Sequence, residues 1–261
     1  MNKIMVCVVL LSAVVGMAPA SAQHYVGIKG GYGSSDVRLY PSWKSPMELG
    51  MLSGGLVWRY YSEPTAAQPT LKYTGGISLE LQYMQRGYKY ESLSNSNHTY
   101  SRRINTLMVP FIWQPHITMA QDRLRAFLNI GVTFNYNISS TFRTYNTESG
   151  ETVEEGPYEM LLVRDNRWGY GLCGGLGAEM KLAGRMSLFV EGRYDFGFSD
   201  IQKAQTKYPP NTFQRSPVDN ITVSVGIFYR LGKGEDSSQM RRRATKVAAD
   251  VVGSLTESGL K

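Results

Sequence analysis

The strongest constraint on the fold is a regular alternation of side chains within residues 168–200. In the first arm every second residue is apolar or small: Trp168, Tyr170, Leu172, Gly174, Leu176, Ala178, Met180 and Leu182. The second arm repeats the rule with Met186, Leu188, Val190, Gly192, Tyr194, Phe196 and Phe198. Because successive side chains of a strand point to opposite faces, each arm is predicted to be a β-strand with one apolar face.

A three-residue turn is predicted to join the two arms. Keeping both apolar sets on one face places residues 183–185 in the turn, where Gly184 can take a left-handed conformation, and sets Leu182 opposite Met186. The same register pairs Gly174 with Tyr194, Gly175 with Arg193, Leu176 with Gly192 and Gly177 with Glu191. A slip of one residue would turn every side chain to the wrong face, so the pattern predicts a single register.

The second face of this hairpin indicates what surrounds it. It is mainly glycine with isolated charges, which suits the crowded interior of a small closed barrel better than a water-exposed surface. The apolar face then points outward, where only lipid can accept it. The alternative is a soluble barrel or sandwich, in which the apolar face packs inward.

The N-terminus has the form of a secretory signal peptide. Lys3 precedes an apolar run over residues 4–15, and residues 20–22 form an Ala-x-Ala end. We predict cleavage after Ala22, which leaves a mature chain beginning at Gln23. An N-terminal membrane anchor is the alternative, although the run is short for a helical span of about 20 residues.

Charge and cysteine content narrow the range of functions. The formal net charge is +7, but the basic residues are dispersed apart from residues 241–243, so we do not expect nucleic-acid binding. The same charge is compatible with anionic lipid. Only Cys173 remains after signal removal, so no internal disulfide or cysteine-based metal site can form, and we expect this thiol to be buried and inert.

Alternation elsewhere brings the predicted number of strands to eight, the smallest common size of an outer-membrane barrel. The strands cover about residues 25–32, 50–60, 72–89, 102–114, 124–136, 168–182, 186–198 and 221–231. We therefore predict an all-β, eight-stranded antiparallel transmembrane β-barrel over residues 23–232. In the fourth strand Pro110 predicts a bulge or a locally unpaired amide.

The lengths of the connections predict how the barrel is oriented. With both termini in the periplasm, the outer loops cover residues 33–48, 90–101, 138–167 and 200–217. The inner connections cover residues 61–71, 115–123 and 183–185, and all three are shorter than any outer loop. Long outer loops and short periplasmic turns are typical of outer-membrane barrels.

Residues 233–261 lie outside the strand pattern and are predicted to form a basic periplasmic tail. Helical spacing relates Met240, Ala244, Val247, Val251 and Leu255. A solvated tail and a weak amphipathic helix both fit this spacing. We expect residues 235–261 and the outer loops to be the segments that contact other proteins of the cell envelope.

Seven charged residues at inward positions are predicted to form an ion-pair network in the lumen: Arg59, Glu80, Arg86, Glu179, Glu191, Arg193 and Arg230. An eight-stranded barrel has room for side chains rather than a wide channel, and buried charges need partners. The interior is therefore predicted to be plugged, with a proton path or a small gated pore as the alternative. Aromatic residues near strand ends are predicted to form interfacial girdles: Trp58, Trp113, Trp168 and Tyr229.

Enzymatic chemistry finds little support in the sequence. His24, His98 and His116 fall at the mature terminus, in a polar loop and in an inner connection, so no base stands beside a nucleophile. Asp195 and Asp200 near the outer rim are the residues that a hydrolase could use with a serine. No phosphate-binding loop, zinc spacing or calcium loop occurs, so we expect no cofactor, no metal and no enzymatic activity.

Five short motifs follow one another along the predicted barrel: residues 76–83 (GISLELQY) with 86–87 (RG), 107–111 (LMVPF), 174–179 (GGLGAE), 191–197 (EGRYDFG) and 225–231 (VGIFYRL). Their order resembles the PorT-like outer-membrane β-barrel family of Bacteroidetes. The resemblance implies an eight-stranded barrel in the outer membrane of a Gram-negative bacterium. Some members of that family are linked to protein secretion or gliding machinery, and most have no assigned activity.

Together these observations predict a non-enzymatic outer-membrane protein with a structural or adaptor role in the cell envelope. The resemblance implies a further candidate role, in which the protein supports protein secretion and contacts secretion-machinery proteins. The alternatives are a small channel or transport pore and, with less support, a hydrolase embedded in the barrel.

Overall fold

The computed structural model describes residues 23–40, 46–47, 49–61, 73–91, 97–120, 123–182, 184–203 and 215–231. Its strands are β1 (Gln23–Val37), β2 (Pro46–Met47), β3 (Leu49–Tyr61), β4 (Tyr73–Glu91), β5 (His98–Met119), β6 (Leu124–Asn146), β7 (Thr152–Pro157), β8 (Trp168–Lys181), β9 (Met186–Gly197) and β10 (Val218–Leu231). Across these ranges no helix is long and apolar enough to cross a bilayer. The predicted signal peptide (residues 1–22) and tail (residues 233–261) lie outside the described residues.

Eight of the strands close into an antiparallel ring. Their order around it is β1, β3, β4, β5, β6, β8, β9 and β10, and β10 pairs again with β1. The short strands β2 and β7 pair with β4 and β6. The prediction of an all-β, eight-stranded barrel is therefore confirmed. We call the end where β1 begins and β10 ends the terminal end, and the opposite end the loop end.

The strand register carries one continuous apolar row around the outside of the ring. Following paired residues once around it from Leu172 leads to Leu182, ten residues further along the chain, and this stagger requires tilted strands. Every position on the path is apolar or aromatic: Leu172, Val132, Phe111, Leu79, Trp58, Val26, Tyr229, Met186 and Leu182. Outward-facing residues therefore pair with outward-facing residues all the way around the ring, including where β10 meets β1.

Apolar side chains form the outer wall, and polar side chains fill much of the interior. Ile28, Leu176 and Val223 are 63, 67 and 62% exposed, whereas Glu80 and Arg193 are 2 and 3% exposed. A soluble barrel would bury its apolar face and expose its charges. The observed distribution is that of a barrel surrounded by lipid, as predicted.

The hairpin formed by β8 and β9 has the predicted register. Gly174 pairs with Tyr194 and Gly177 with Glu191, and the Leu182 amide donates to the Met186 carbonyl at 2.8 Å. Gly184, in the turn, has a φ of 68°, which is the left-handed conformation expected for glycine there. Local alternation was sufficient to align the two strands.

Pro110 interrupts the pairing of β4 with β5. The ladder passes from the pair Leu79 and Phe111 directly to the pair Gln82 and Met108, with no change of register. The gap includes Pro110, because proline has no N–H to donate to the neighbouring strand. The predicted unpaired amide is confirmed, and the bulge lies elsewhere, between β5 and β6 at residues 105–106.

The predicted loops at the loop end were too long, and their boundaries are corrected by the structure. β1 extends to Val37, β5 begins at His98, and β6 continues to Asn146 before the chain returns as β7. A turn closes this extra hairpin, with the Asn146 side chain accepting from the Glu148 amide at 2.8 Å. The outward faces of these segments are mainly polar, so they lack the lipid-facing apolar alternation by which the membrane strands were recognised.

Candidate functional site in the barrel interior

Four charged side chains meet in the middle of the barrel: Lys29 on β1, Glu80 on β4, and Glu191 and Arg193 on β9. Arg193 donates two parallel hydrogen bonds to Glu80, from Nη1 to Oε2 at 2.8 Å and from Nη2 to Oε1 at 2.9 Å. Lys29 Nζ lies 2.8 Å from Glu80 Oε2 and 2.7 Å from Glu191 Oε1. Each carboxylate is therefore compensated by more than one cation, as buried charge requires.

A second charged group lies nearer the terminal end, formed by Arg59 on β3, Arg125 on β6 and Glu179 on β8. Arg125 Nη1 lies 3.2 Å from both Glu179 oxygens, and Arg59 Nη1 is 4.0 Å from Glu179 Oε2. Arg59 Nη2 also donates to Glu191 Oε2 at 3.1 Å, which links the two groups. The Tyr61 hydroxyl donates to Glu179 Oε2 at 3.1 Å.

Three phenylalanine rings surround the guanidinium of Arg59. Arg59 Cζ lies 4.7, 4.6 and 4.4 Å from the ring centroids of Phe127, Phe189 and Phe228. These cation–π contacts surround the desolvated Arg59 guanidinium with aromatic faces. Neighbouring glycines make the room, because an added Cβ at Gly27, Gly177 or Gly226 would overlap one of these rings.

Apolar side chains and a further ion pair fill the loop end of the interior. The apolar cluster consists of Val37, Leu39, Tyr88, Ile104, Ile201 and Val218. Beside it Arg102 Nη2 donates to Asp165 Oδ1 at 3.1 Å, and both side chains are fully buried. Sequence reasoning missed this pair, because Asp165 lies between β7 and β8, in a segment predicted to be part of a long outer loop.

Five of the seven predicted lumen charges come together: Arg59, Glu80, Glu179, Glu191 and Arg193. Arg86 is instead bound by amides, donating to Asn135 Oδ1 at 2.7 Å and to Asn137 Oδ1 at 2.9 Å. Arg230 is half-buried at the terminal end of β10. Arg125 joins the network although it was not predicted to. Its inward position in the alternation of β6 could have indicated this.

The arrangement can hold the barrel wall together and fill its interior. Four cations (Lys29, Arg59, Arg125 and Arg193) face three carboxylates in the linked groups. Buried Met51, Met84 and Met108, on the neighbouring strands β3, β4 and β5, lie between the level of these charges and that of the apolar cluster at the loop end. Side chains thus occupy the lumen at successive levels among the described residues, which is the geometry of a plug.

The residues considered for hydrolysis do not form one site. Asp195 is buried in the lumen, whereas Asp200 lies at the rim, where its Oδ1 accepts from the Ser216 amide at 2.6 Å. His98 begins β5 at the loop end, while His24 and His116 lie near the terminal end on opposite faces of the wall. Within the described ranges no cluster of three His, Cys, Asp or Glu side chains could hold a metal ion.

The predicted girdle residues lie toward both ends of the barrel. Trp168 begins β8 at the loop end and is 75% exposed, with its ring 4.7 Å from that of Tyr136. Trp113 and Tyr229, in the terminal halves of β5 and β10, are 54 and 46% exposed. Trp58 is only half-buried and stacks with the His24 ring at 5.8 Å. Such positions suit amphipathic rings at a membrane interface.

A closed ring of eight strands with an apolar exterior and an ion-paired interior defines a transmembrane β-barrel. The family model described as outer membrane protein beta-barrel domain matches residues 22–203 of this chain. The protein belongs to this family and is an outer-membrane β-barrel protein. Strand β10, beyond the matched range, completes the ring by pairing with β9 and β1.

Several solved outer-membrane proteins are similar to this chain at low sequence identity. A major outer membrane protein from Thermus thermophilus is 15% identical, with a TM-score of 0.47 over 80% of this chain and 99% of that one. OprG from Pseudomonas aeruginosa is 13% identical, with a TM-score of 0.43 over 81% and 96%. Ail from Yersinia pestis, in complex with the heparin analogue sucrose octasulfate, is 13% identical, with a TM-score of 0.37 over 80% and 99%. No curated protein matches the sequence significantly.

Proposed function

We propose that this outer-membrane protein is a non-enzymatic structural or adaptor component of the cell envelope. The observation that carries the proposal is the contrast between a filled lumen and an extended loop end. With the interior occupied by paired charges and buried aromatic rings, the surfaces that remain to act on other molecules are those outside the bilayer.

The loop end provides a rigid surface for contact with partners. β5 and β6 remain paired over residues 98–105 and 139–146, beyond the last apolar row, and β7 adds to β6. The exposed side chains of β7 include Glu154 and Glu155. Backbone pairing keeps this extension ordered without burial in lipid, which suits a surface that presents fixed side chains to another protein.

We place the termini in the periplasm and the loop end outside the cell. The supporting observation is that the long β6–β7 hairpin lies at the loop end, whereas β8 and β9 are joined at the terminal end by a turn of three residues between the paired Leu182 and Met186. Glu148→Cys at the β6–β7 turn should react with a membrane-impermeant maleimide on intact cells. Arg185→Cys should react only after permeabilisation, and the reverse pattern would overturn the orientation.

Support of protein secretion, with contacts through the outer loops and residues 235–261, is the role that the PorT-like resemblance favours. A photo-crosslinking residue at Glu154, exposed on β7, should trap a partner protein in cells. The matched control is Val190, which is 50% exposed on the lipid-facing wall and should give no protein adduct. An unchanged set of secreted proteins in a deletion strain would contradict the secretion role and leave the structural one.

A small pore is the second candidate, because buried polar groups occur along the lumen from Arg102 near the loop end to Arg125 near the terminal end. Planar-bilayer recording separates the two functions. The plugged barrel should show no steady conductance, because the central ion pairs occupy the lumen. A steady large conductance of the wild-type protein would refute the plug and establish the pore.

A further inference from the structure

The outward face of β4, β5 and β6 changes from apolar to basic in successive paired rows toward the loop end. The last apolar row contains Tyr83, Leu107 and Tyr136, and the next contains Gln85, Asn105 and Ser139. Beyond these lie Arg103 paired with Thr141, and then Lys89 paired with Ser101, which pairs with Arg143. The strands keep their pairing throughout, so these cations continue the same wall that carries the lipid-facing side chains.

Among the described residues, two of the three cations on this face lack a carboxylate partner. Arg143 is held by Thr152 Oγ1 at 2.5 Å and lies 3.7 Å from Glu155. Neither Lys89 nor Arg103 has an acidic side chain within 4.0 Å in the part of the chain that the structure describes. The three cations line a groove of about 330 Å³ together with Ser101, Thr141 and Glu155. The Ser101 hydroxyl already donates to the Arg143 carbonyl at 3.1 Å, so the groove combines an excess of positive charge with one neutral donor, the Thr141 hydroxyl.

The opposite wall of the barrel does not repeat this arrangement. On β1 and β10 the corresponding loop-end positions are Asp36 and Asp219, which pair in register. Arg38 Nε lies 2.7 Å from Asp219, so the nearest cation there is already compensated. The uncompensated positive charge of the β4–β6 wall is thus not repeated on the described part of the β1–β10 wall.

The height of the groove matches the headgroup region of a bilayer. Arg103 lies four residues beyond Leu107, which is about 13 Å along the strand and about 10 Å along the membrane normal for a tilted barrel strand. Headgroups occupy the layer immediately outside the hydrocarbon. A long basic side chain at this height can reach a phosphate while acyl chains cover the apolar rows below it.

We propose that Lys89, Arg103 and Thr141 form a binding site for the phosphate of a membrane lipid in the leaflet at the loop end. Arg103 and Lys89 contact the phosphate oxygens, and the Thr141 hydroxyl donates to one of the oxygens that remain. Arg143 is bound to Thr152 and lies near Glu155, so it does not contact the phosphate and adds only positive electrostatic potential at the edge of the site. The occupant is a lipid rather than a soluble anion, because the groove continues the wall against which acyl chains pack.

Native mass spectrometry of the detergent-solubilised barrel tests the site, with phosphatidic acid as the probe and phosphatidylcholine as the neutral comparison. Lys89→Gln with Arg103→Gln should weaken phosphatidic acid binding about 30-fold, because each basic residue beside an anionic lipid contributes about a factor of five. Lys203→Gln with Arg215→Gln removes the same charge from exposed loop-end positions and should bind as the wild type does.

Three results would overturn the site: equal phosphatidic acid binding by the Lys89 and Arg103 double variant, equal retention of phosphatidylcholine by the wild type, or full displacement of the lipid by equimolar inorganic phosphate. The last result would identify a free-anion site instead. Heat-modifiable electrophoretic migration checks that each variant is folded. A second variant, Lys89→Arg with Arg103→Lys, keeps the charge and should retain affinity within a few-fold, and a 30-fold loss in it would also contradict the proposal.

Discussion

Arg193 and Glu80 are hydrogen-bonded across the full diameter of the barrel. β9 and β4 are separated by three strands in either direction around the ring, yet Arg193 Nη2 lies 2.9 Å from Glu80 Oε1. Arg59 and Glu179, on the opposed strands β3 and β8, also form an ion pair across the ring, with Arg59 Nη1 4.0 Å from Glu179 Oε2. The ion pairs therefore connect strands that share no backbone hydrogen bonds, and they act as cross-braces of the wall.

Removing the charge of Glu80 should destabilise the barrel strongly. Glu80→Gln leaves Arg193 and Lys29 with one fewer carboxylate in a buried site, which costs about 3–5 kcal/mol for a broken buried pair. Unfolding by urea from lipid vesicles measures the loss. The matched control is Glu155→Gln, which removes an acid that is 61% exposed and should change the free energy of unfolding by less than about 0.5 kcal/mol. Equal stability of both variants would contradict the bracing role.

Adjacent glycines on β8 should respond in opposite ways to alanine. Gly175 faces inward, and an added Cβ would overlap the carbonyl oxygen of Gly192, whereas Gly174 faces lipid with open space around it. We expect Gly175→Ala to cost about 1–3 kcal/mol, because backbone atoms must move. Gly174→Ala should be neutral or stabilising by up to about 1 kcal/mol, since it restricts the unfolded chain. The same urea titration compares them, and a larger loss for Gly174→Ala would show that the faces are misassigned.

A charge on the lipid-facing wall should be tolerated according to its depth. Val225 is the central outward residue of β10 and is 54% exposed, whereas Ile221 lies toward the loop end of the same face. Val225→Arg should lower the free energy of unfolding by about 2–4 kcal/mol, and Ile221→Arg by about 0–1 kcal/mol. Refolding into vesicles measures both, and equal costs would place the bilayer at a different height on the barrel.

Cys173 should be unreactive in the folded protein. Its side chain is 5% exposed on an inward position of β8, where alkylating reagents have no access. We expect no labelling of the mature protein by a maleimide in detergent and complete labelling after denaturation. Thr141→Cys, on the exposed outer face of β6, provides a positive control that should react in both states. Rapid labelling of folded wild-type protein would show that the lumen opens at this level.

The alternation of side chains was enough to predict the membrane strands, but it did not predict how far the strands extend at the loop end. The pairing of Gly174 with Tyr194 and the orientation of Leu176 followed from alternation around a three-residue turn. The extension of β6 to Asn146 and its return as β7 could not be predicted in the same way, because no continuous apolar face marks these segments and they are aligned by backbone pairing. The ion pair of Arg102 with Asp165 depends on that extension.

The amino-acid sequence by itself determined that this chain forms a lipid-facing barrel, because a period of two with one apolar and one small or polar face is a local property of each strand. Only the tertiary structure decided which charges meet. Glu80 and Arg193 are 113 residues apart, and their contact depends on ring closure and on the ten-residue stagger that brings opposed strands to the same height. For the same reason Arg125 joined the ion-pair network, while Arg86 came to lie among amides.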